Sequence, residues 1–321
     1  MQQAHGDLPP AIYQHPFKPW LERLFRICLK CSRCERVRPD EPDSLARLFQ
    51  GYYPMRRSTL IIPCFNEESR FPVEPFLQSV HESHGPDLIL VDDGSRDGTR
   101  SVLNRVAEQC PTRIQVLPLS RNQGKAEAVR QGCLWAFSRG AETVGYWDAD
   151  LATPLSELTR FREALNRQPN LELVIGSRIP LLGHAIHKDP LRHGMGRIIA
   201  GSIAWVLGHG VYDTQCGAKL FRNSPAMRSV FATPFLTRWL FDVEILARLI
   251  VMSRTKLVPS LEKIVLELPL LRWDHIGGSK VKPSDFFKAF VDLARIHKHT
   301  LGQHAAFPIS ESPSIGWRPA A

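Results

Sequence analysis

The 321-residue chain is 43% hydrophobic, enough to bury the core of one or two domains, which excludes overall disorder. Its net charge of +9 and pI near 9.4 favour anionic partners such as nucleic acid, phosphate-bearing substrates or an acidic membrane surface. No stretch approaches the roughly 20 apolar residues that span a bilayer, so membrane contact is expected to be peripheral. The seven cysteines, an odd number with no secretory signal ahead of them, favour a reducing compartment and place the chain on the cytosolic side.

Residues 1–55 read as a separate N-terminal extension, rich in Pro and Arg. Trp20, Leu21, Leu24, Phe25 and Cys28 recur at helical spacing between basic positions, which fits a short amphipathic helix that could rest on anionic lipid. Cys28, Cys31 and Cys34 have metal-ligand spacing, yet no fourth Cys or nearby His completes a tetrahedral set.

From Ser58 onward, short β-branched runs alternate with longer helical stretches, the pattern of an α/β domain built on a largely parallel sheet. Strands are predicted at 59–64, 87–93, 114–119, 143–150 and 171–177. Between the third and fourth, residues 123–138 place Ala126, Val129, Cys133, Leu134 and Phe137 on one helical stripe, with Lys125, Glu127 and Arg130 off it. Ligands bind at the carboxyl ends of the strands in such sheets, and the polar clusters fall there.

Three strand ends carry carboxylates: Glu67 and Glu68 after the first, Asp92 and Asp93 after the second, Asp148 and Asp150 after the fourth. They would repel one another unless a cation sits among them, and a divalent metal carrying a diphosphate is the economical answer. In Asp148-Ala149-Asp150 the two carboxylates flank a small residue that leaves room for a ligand; oxygen-only ligands suit Mg²⁺ or Mn²⁺. Asp92 and Asp93 fit either a helix-capping loop or recognition of a pyrimidine N–H and ribose hydroxyls, and Asp97 or Thr99 is expected to cap the next helix. Gly124 and Lys125 open another helix, where backbone N–H groups and the ammonium could meet phosphate or sugar, or simply form a solvated turn.

The ordered set IIPCFNEE, VDDGSRDGT, RNQGKAEAVRQG, DAD and GSR resembles the GT-A fold of inverting family 2 glycosyltransferases, a Rossmann-like sheet flanked by helices. Residues 213–221 (DTQCGAKLF), 238–244 (RWLFDVE) and 273–280 (WDHIGGSK) are similar to the pattern of dolichyl-phosphate glucosyltransferases, and the likeness covers about residues 58–297. It implies a nucleotide-sugar half at 56–180, an acceptor half at 181–300 and a flexible tail at 301–321. It also implies that Pro63, Phe65, Asn66 and Glu67 line the nucleotide, that Asp93 contacts base or ribose with Asp92 beside it, and that Asp148 and Asp150 hold metal and diphosphate. Three departures stand out: no N-terminal membrane span, Ala218 where an aromatic is usual, and Leu151 after Asp150.

An acceptor phosphate needs cations and its lipid an apolar path. Arg178, His187, Lys188, Arg192 and Arg197 lead into the apolar run 198–207, which fits a buried helix or one lying at a membrane surface. The resulting expectation is a UDP-sugar donor, a polyprenyl or dolichyl phosphate acceptor, and direct attack of the acceptor phosphate at the anomeric carbon. A phosphate monoester is mostly deprotonated at neutral pH, so a strong base is less necessary. Asp213 and Asp242 are candidates to orient acceptor or sugar; the alternatives are a turn-forming Asp213 and an Asp242 paired with Arg238 one helical turn back. Rival expectations are mannose from GDP-mannose, a soluble acceptor, or a non-catalytic nucleotide-sugar-binding protein. Nucleic acid is disfavoured for want of a recognition helix or stacking platform.

Overall fold

A computed structural model describes residues 57–186, 190–276 and 283–302, without the side chains of 190–198 and 283–287. The proposed N-terminal helix, the Cys28, Cys31 and Cys34 set, His187, Lys188 and residues 303–321 of the tail lie outside the described residues, as do the side chains of Arg192 and Arg197, while Leu301 is buried in the last helical turn.

The chain runs β1 (Ser58–Cys64), α1 (Val73–His81), β2 (Asp87–Asp92), α2 (Thr99–Gln109), β3 (Ile114–Pro118), α3 (Lys125–Ser138) and β4 (Thr143–Trp147). It continues through a 3₁₀ turn, α4 (Leu158–Arg167), β5 (Leu173–Ser177), β6 (Ala185–Ile186), α5 (Pro190–Leu207), β7 (Ala218–Arg222) and α6 (Pro225–Ala232). The last elements are α7 (Phe241–Arg254), α8 (Leu261–Ile264), β8 (Val265–Pro269), β9 (Arg272–Trp273), α9 (Pro283–Ile296) and a π-helical turn. Seven strands form one sheet in the order β3-β2-β1-β4-β7-β5-β8, parallel from β3 to β4 and with β7 antiparallel to both its neighbours.

The apolar strand runs are explained by burial on both faces of the sheet. Ile61, Val91 and Tyr146 pack toward α3 and α7, with Val129, Phe137 and Phe241. Leu60, Leu90 and Trp147 pack on the other face with Phe76, Leu103 and Phe161. The central position of β1 aligns its carboxyl end with those of β2 and β4, so the three acidic loops emerge side by side.

Three local details are settled by tertiary packing. β4 stops at Trp147, so Asp148, Ala149 and Asp150 occupy a turn in which Leu151 N–H donates to the Asp148 carbonyl at 3.1 Å. Arg130, off the apolar stripe of α3, is buried all the same, bound to Glu127 and to the carbonyls of Phe231 and Ala232. The run 198–207 is the second half of α5 and buries Ile199, Ile203 and Leu207, while Trp205 stays 82% exposed. Among the described residues no helix is long and apolar enough to cross a membrane.

Candidate active site

The loop after β1 is shaped by hydrogen bonds to the loop after β2. Asn66, at φ +53, donates its N–H to Ser95 Oγ at 3.0 Å and accepts from Arg96 N–H at 3.0 Å through Oδ1. Asn tolerates this left-handed conformation better than most residues. Glu67 N–H donates to Thr99 Oγ1 at 2.7 Å, and the buried Glu67 carboxylate takes the Arg70 guanidinium, with Nη2 to Oε1 at 2.6 Å. Pro63 and Phe65 are half-buried beside it.

Asp92 and Asp93 are buried and committed to the protein. Asp92 accepts from Ser95 N–H at 3.0 Å and from Arg100 Nε at 2.8 Å. Asp93 accepts from Gln123 N–H at 2.7 Å, Gly124 N–H at 2.8 Å and Asn122 Nδ2 at 3.0 Å, which ties β2 to the start of α3. Burial raises the Asp93 pKa against the pull of the Gln123 and Gly124 N–H groups. All four carboxylate oxygens therefore already have protein donors, and their first task is to set the two loops. Asp97 does serve the start of α2, accepting from the N–H and hydroxyl of Thr99.

At the end of β4 the protein supplies its own cation. Lys125 Nζ lies 2.5 Å from Asp148 Oδ1, with the two side chains 33% and 37% exposed. Burial works to lower the Lys125 pKa, but the charges of Asp148, Asp242 and Asp150 overcome it and the net shift is upward. Asp150 accepts Ala152 N–H at 3.0 Å; burial, then the Asp148 charge, raises its pKa. Leu151 sits at φ +54 directly after it, a conformation uncommon for a bulky side chain. On the far side, Asp148 N–H donates to the Gly217 carbonyl at 3.0 Å, and a Cβ at 217 would come within 1.9 Å of Asp148 Oδ2. Gly217 thus leaves the space in which that carboxylate stands.

Beneath this surface lies a buried charge network. Asp242, in the first turn of α7, accepts from the Tyr146 hydroxyl and pairs with Lys219 Nζ at 2.6 Å. Lys219 also donates to the carbonyls of Thr214 at 2.9 Å and Cys216 at 2.8 Å, with its side chain 1% exposed. Asp242 therefore does not pair with Arg238, which donates instead to Asn122 Oδ1. Burial first, and then the Asp242 charge, pushes the Tyr146 hydroxyl pKa well up.

The loop held by Lys219 carries Asp213. Its carboxylate grips Arg178 at both ends, from Nε at 2.6 Å and Nη2 at 2.7 Å, and accepts Arg178 N–H at 3.0 Å. Burial would raise the Asp213 pKa, but the Arg178 guanidinium outweighs it and holds the group below the ordinary aspartate value. Glu267 of β8 accepts the N–H groups of Tyr212 at 2.9 Å and Asp213 at 2.7 Å, and the Trp273 ring lies 5.3 Å from the Arg178 guanidinium. The Nη1 edge of Arg178 has no hydrogen-bond partner among the described residues.

Sequence reasoning missed Lys219, Tyr146 and Glu267 as supports of the site; a lysine inside the run AKLFR was the available signal for the first. No group of three or more metal-ligating side chains occurs among the described residues. Asp148 and Asp150 nonetheless suit a hard cation whose remaining ligands are phosphate oxygens, because both are oxygen donors and burial, then the Asp148 charge, disfavours the charged form of Asp150. The arrangement of paired carboxylates at a strand end, a lysine beside them and a clamped arginine across a short loop is suited to a substrate that carries phosphate.

The mostly parallel seven-strand sheet flanked by helices is the GT-A glycosyltransferase fold. The sequence pattern of glycosyl transferase family 2 matches residues 59–215. A dolichyl-phosphate beta-glucosyltransferase of Trichomonas vaginalis is 34% identical over 255 residues, covering 74% of this chain and 70% of that protein. The Homo sapiens dolichyl-phosphate beta-glucosyltransferase is 30% identical over 244 residues, covering 72% and 71%. Among solved structures, glucosyl-3-phosphoglycerate synthase of Mycobacterium tuberculosis, in complex with Mn²⁺, UDP-glucose and phosphoglyceric acid, superposes with a TM-score of 0.55 at 16% identity, covering 76% of this chain and 80% of that one. The chain belongs to glycosyl transferase family 2 and is a glycosyltransferase.

Proposed function

We propose that the chain moves glucose from UDP-glucose to the phosphate of a membrane-held polyprenol such as dolichyl phosphate, with inversion at the anomeric carbon and with Mg²⁺ or Mn²⁺ as cofactor. The observation that carries this reading is the junction of two phosphate-directed centres through one loop. Asp148, Asp150 and Lys125 stand at one end of residues 213–217, and Arg178, clamped by Asp213, stands at the other. The relatives' names support glucose and dolichyl phosphate; the UDP-glucose and Mn²⁺ bound to the structural neighbour support the donor and the metal.

Asp148 and Asp150 would hold the metal, which when bound offsets charge on the departing nucleoside diphosphate. Lys125 adds a fixed positive charge against the same diphosphate. Asn66 and Phe65 line the approach from β1, while Asp92 and Asp93 keep the adjoining loops in place. Arg178 presents its Nη1 edge to the acceptor phosphate, with Arg192 and Arg197 contributing further positive charge from α5. Asp213 and Asp242 act as positioning residues, Asp213 on Arg178 and Asp242 through Lys219 and Tyr146. The acceptor oxygen attacks, the bond from sugar to diphosphate breaks, and the leaving group carries the electron pair away. The proposed place of action is the cytosolic face of a membrane, held peripherally.

Product analysis tests the reading. Incubation with UDP-glucose and a short-chain polyprenyl phosphate should give one glucosyl phosphodiester, with the β configuration visible in the anomeric proton coupling. An α product would contradict inversion. Transfer only to a soluble phosphorylated acceptor would remove the lipid.

A further inference from the structure

The acceptor side carries an apolar tip that the chemistry above does not use. Between β5 and β6, Leu181 to His184 form a tight turn closed by His184 N–H donating to the Leu181 carbonyl at 3.0 Å. Gly183 at φ +83 supplies the positive φ that the third residue of a type II turn requires. The turn is tied down further by the contact of His184 Nδ1 with the Leu270 carbonyl at 2.7 Å and by Ala185 N–H donating to the Leu271 carbonyl at 2.8 Å.

This bracing holds Leu182 wholly in water, 104% exposed, with Leu181 at 45% and Leu271 at 48%. A single exposed leucine needs no explanation, but three on two segments locked into one small sheet form an apolar tip that no described residue covers. Leu182 is not covered by any of the described residues, so it adds nothing to their core. The tip is wired to the site: β6 pairs with β9 in the register Ile186 to Trp273, and Trp273 lies beneath the Arg178 guanidinium. Cationic side chains adjoin it as well: Arg272, 65% exposed and paired with Asp274 at 2.7 Å, follows Leu271, and Arg178 lies over Trp273. An apolar tip with the Arg178 and Arg272 guanidiniums behind it matches a bilayer whose acyl layer lies below a plane of phosphates.

We infer that Leu181, Leu182 and Leu271 insert into the acyl layer of a phospholipid membrane and so set the Arg178 and Asp213 end of the site at the level of lipid phosphates. The role in acceptor delivery rests on the proposed lipid-phosphate acceptor, whereas insertion itself is measurable without turnover. The test is sedimentation of the full chain with phosphatidylcholine vesicles, with and without phosphatidylserine. Leu182→Asp should weaken partitioning about tenfold on both vesicle types, the scale of removing one buried leucine side chain from the apolar phase. Leu182→Trp should keep or strengthen it. Both variants should melt with the parent and transfer to a water-soluble short-chain acceptor at the parental rate, since no described residue covers Leu182.

Unchanged sedimentation of Leu182→Asp overturns the inference. So does a loss confined to anionic vesicles, which would mark charge rather than insertion, or equal losses in Leu182→Asp and Leu182→Trp. If the parent sediments and Leu182→Asp does not, while no glucosyl transfer occurs with any acceptor, the tip stands and the proposed function falls.

Discussion

Lys219→Met removes the cation that joins Asp242 to the loop bearing Asp213. The side chain is 1% exposed, its partner Asp242 is 5% exposed, and the lost contacts are the 2.6 Å ion pair and the two carbonyls of Thr214 and Cys216. Breaking one side of a buried pair costs about 3–5 kcal/mol, because the remaining charge stays desolvated with only the Tyr146 hydroxyl as donor. For a domain of this size each kcal/mol moves the melting temperature by about 2–4 °C, so the variant should melt about 6–20 °C below the parent. Adding Asp242→Leu removes the stranded carboxylate, and the double variant should recover several degrees while transfer stays low, since Thr214 and Cys216 still lack their anchor. The assay is a double-mutant cycle of thermal melts alongside transfer rates. A melting loss under 2 °C for Lys219→Met, or additive losses in the double variant, would refute the argued network.

Gly217→Ala places a methyl where Asp148 Oδ2 stands, 1.9 Å away, so the carboxylate or the loop must move. The expected result is a fall of about 10–100-fold in apparent metal affinity, read from a metal titration of transfer; a parental titration would show that the loop yields freely. Asp213 contributes stability that is fully present above the ordinary aspartate pKa of about 3.9 and lost as pH falls through its lowered folded-state value. The melting difference between parent and Asp213→Asn should accordingly be constant from about pH 5 to 8 and shrink below about pH 4; a difference independent of pH down to acid unfolding would contradict the pairing with Arg178.

The central parallel strands were legible because burial on both sheet faces leaves near-continuous apolar runs, and the acidic loops were legible because each closes such a run. β7 was not predicted. Its sequence AKLFR places a fully buried lysine in mid-strand, and that charge makes sense only once Asp242 and two loop carbonyls are known to meet it. The burial of Arg130, which lies off the apolar stripe, left no trace for the same reason: its partners Phe231 and Ala232 lie about a hundred residues away. Asp92 and Asp93 were read toward a nucleotide, and the structure adds the hydrogen bonds by which they shape two loops, partners that the sequence does not reveal. Charge placed by tertiary partners leaves little periodic trace in a sequence, and the hidden part of this site is made of such charges. Ala218, the departure from the usual aromatic, lies fully buried opposite Trp147 in the sheet register.

The most direct test of the account is transfer of radiolabelled glucose from UDP-glucose to dolichyl phosphate in the presence of Mn²⁺ or Mg²⁺, the parent beside Asp150→Ala, scored by extraction into organic solvent. The account predicts metal-dependent label in the organic phase with the parent and almost none with the variant. Equal organic-phase label from both proteins, or label from neither, would contradict it.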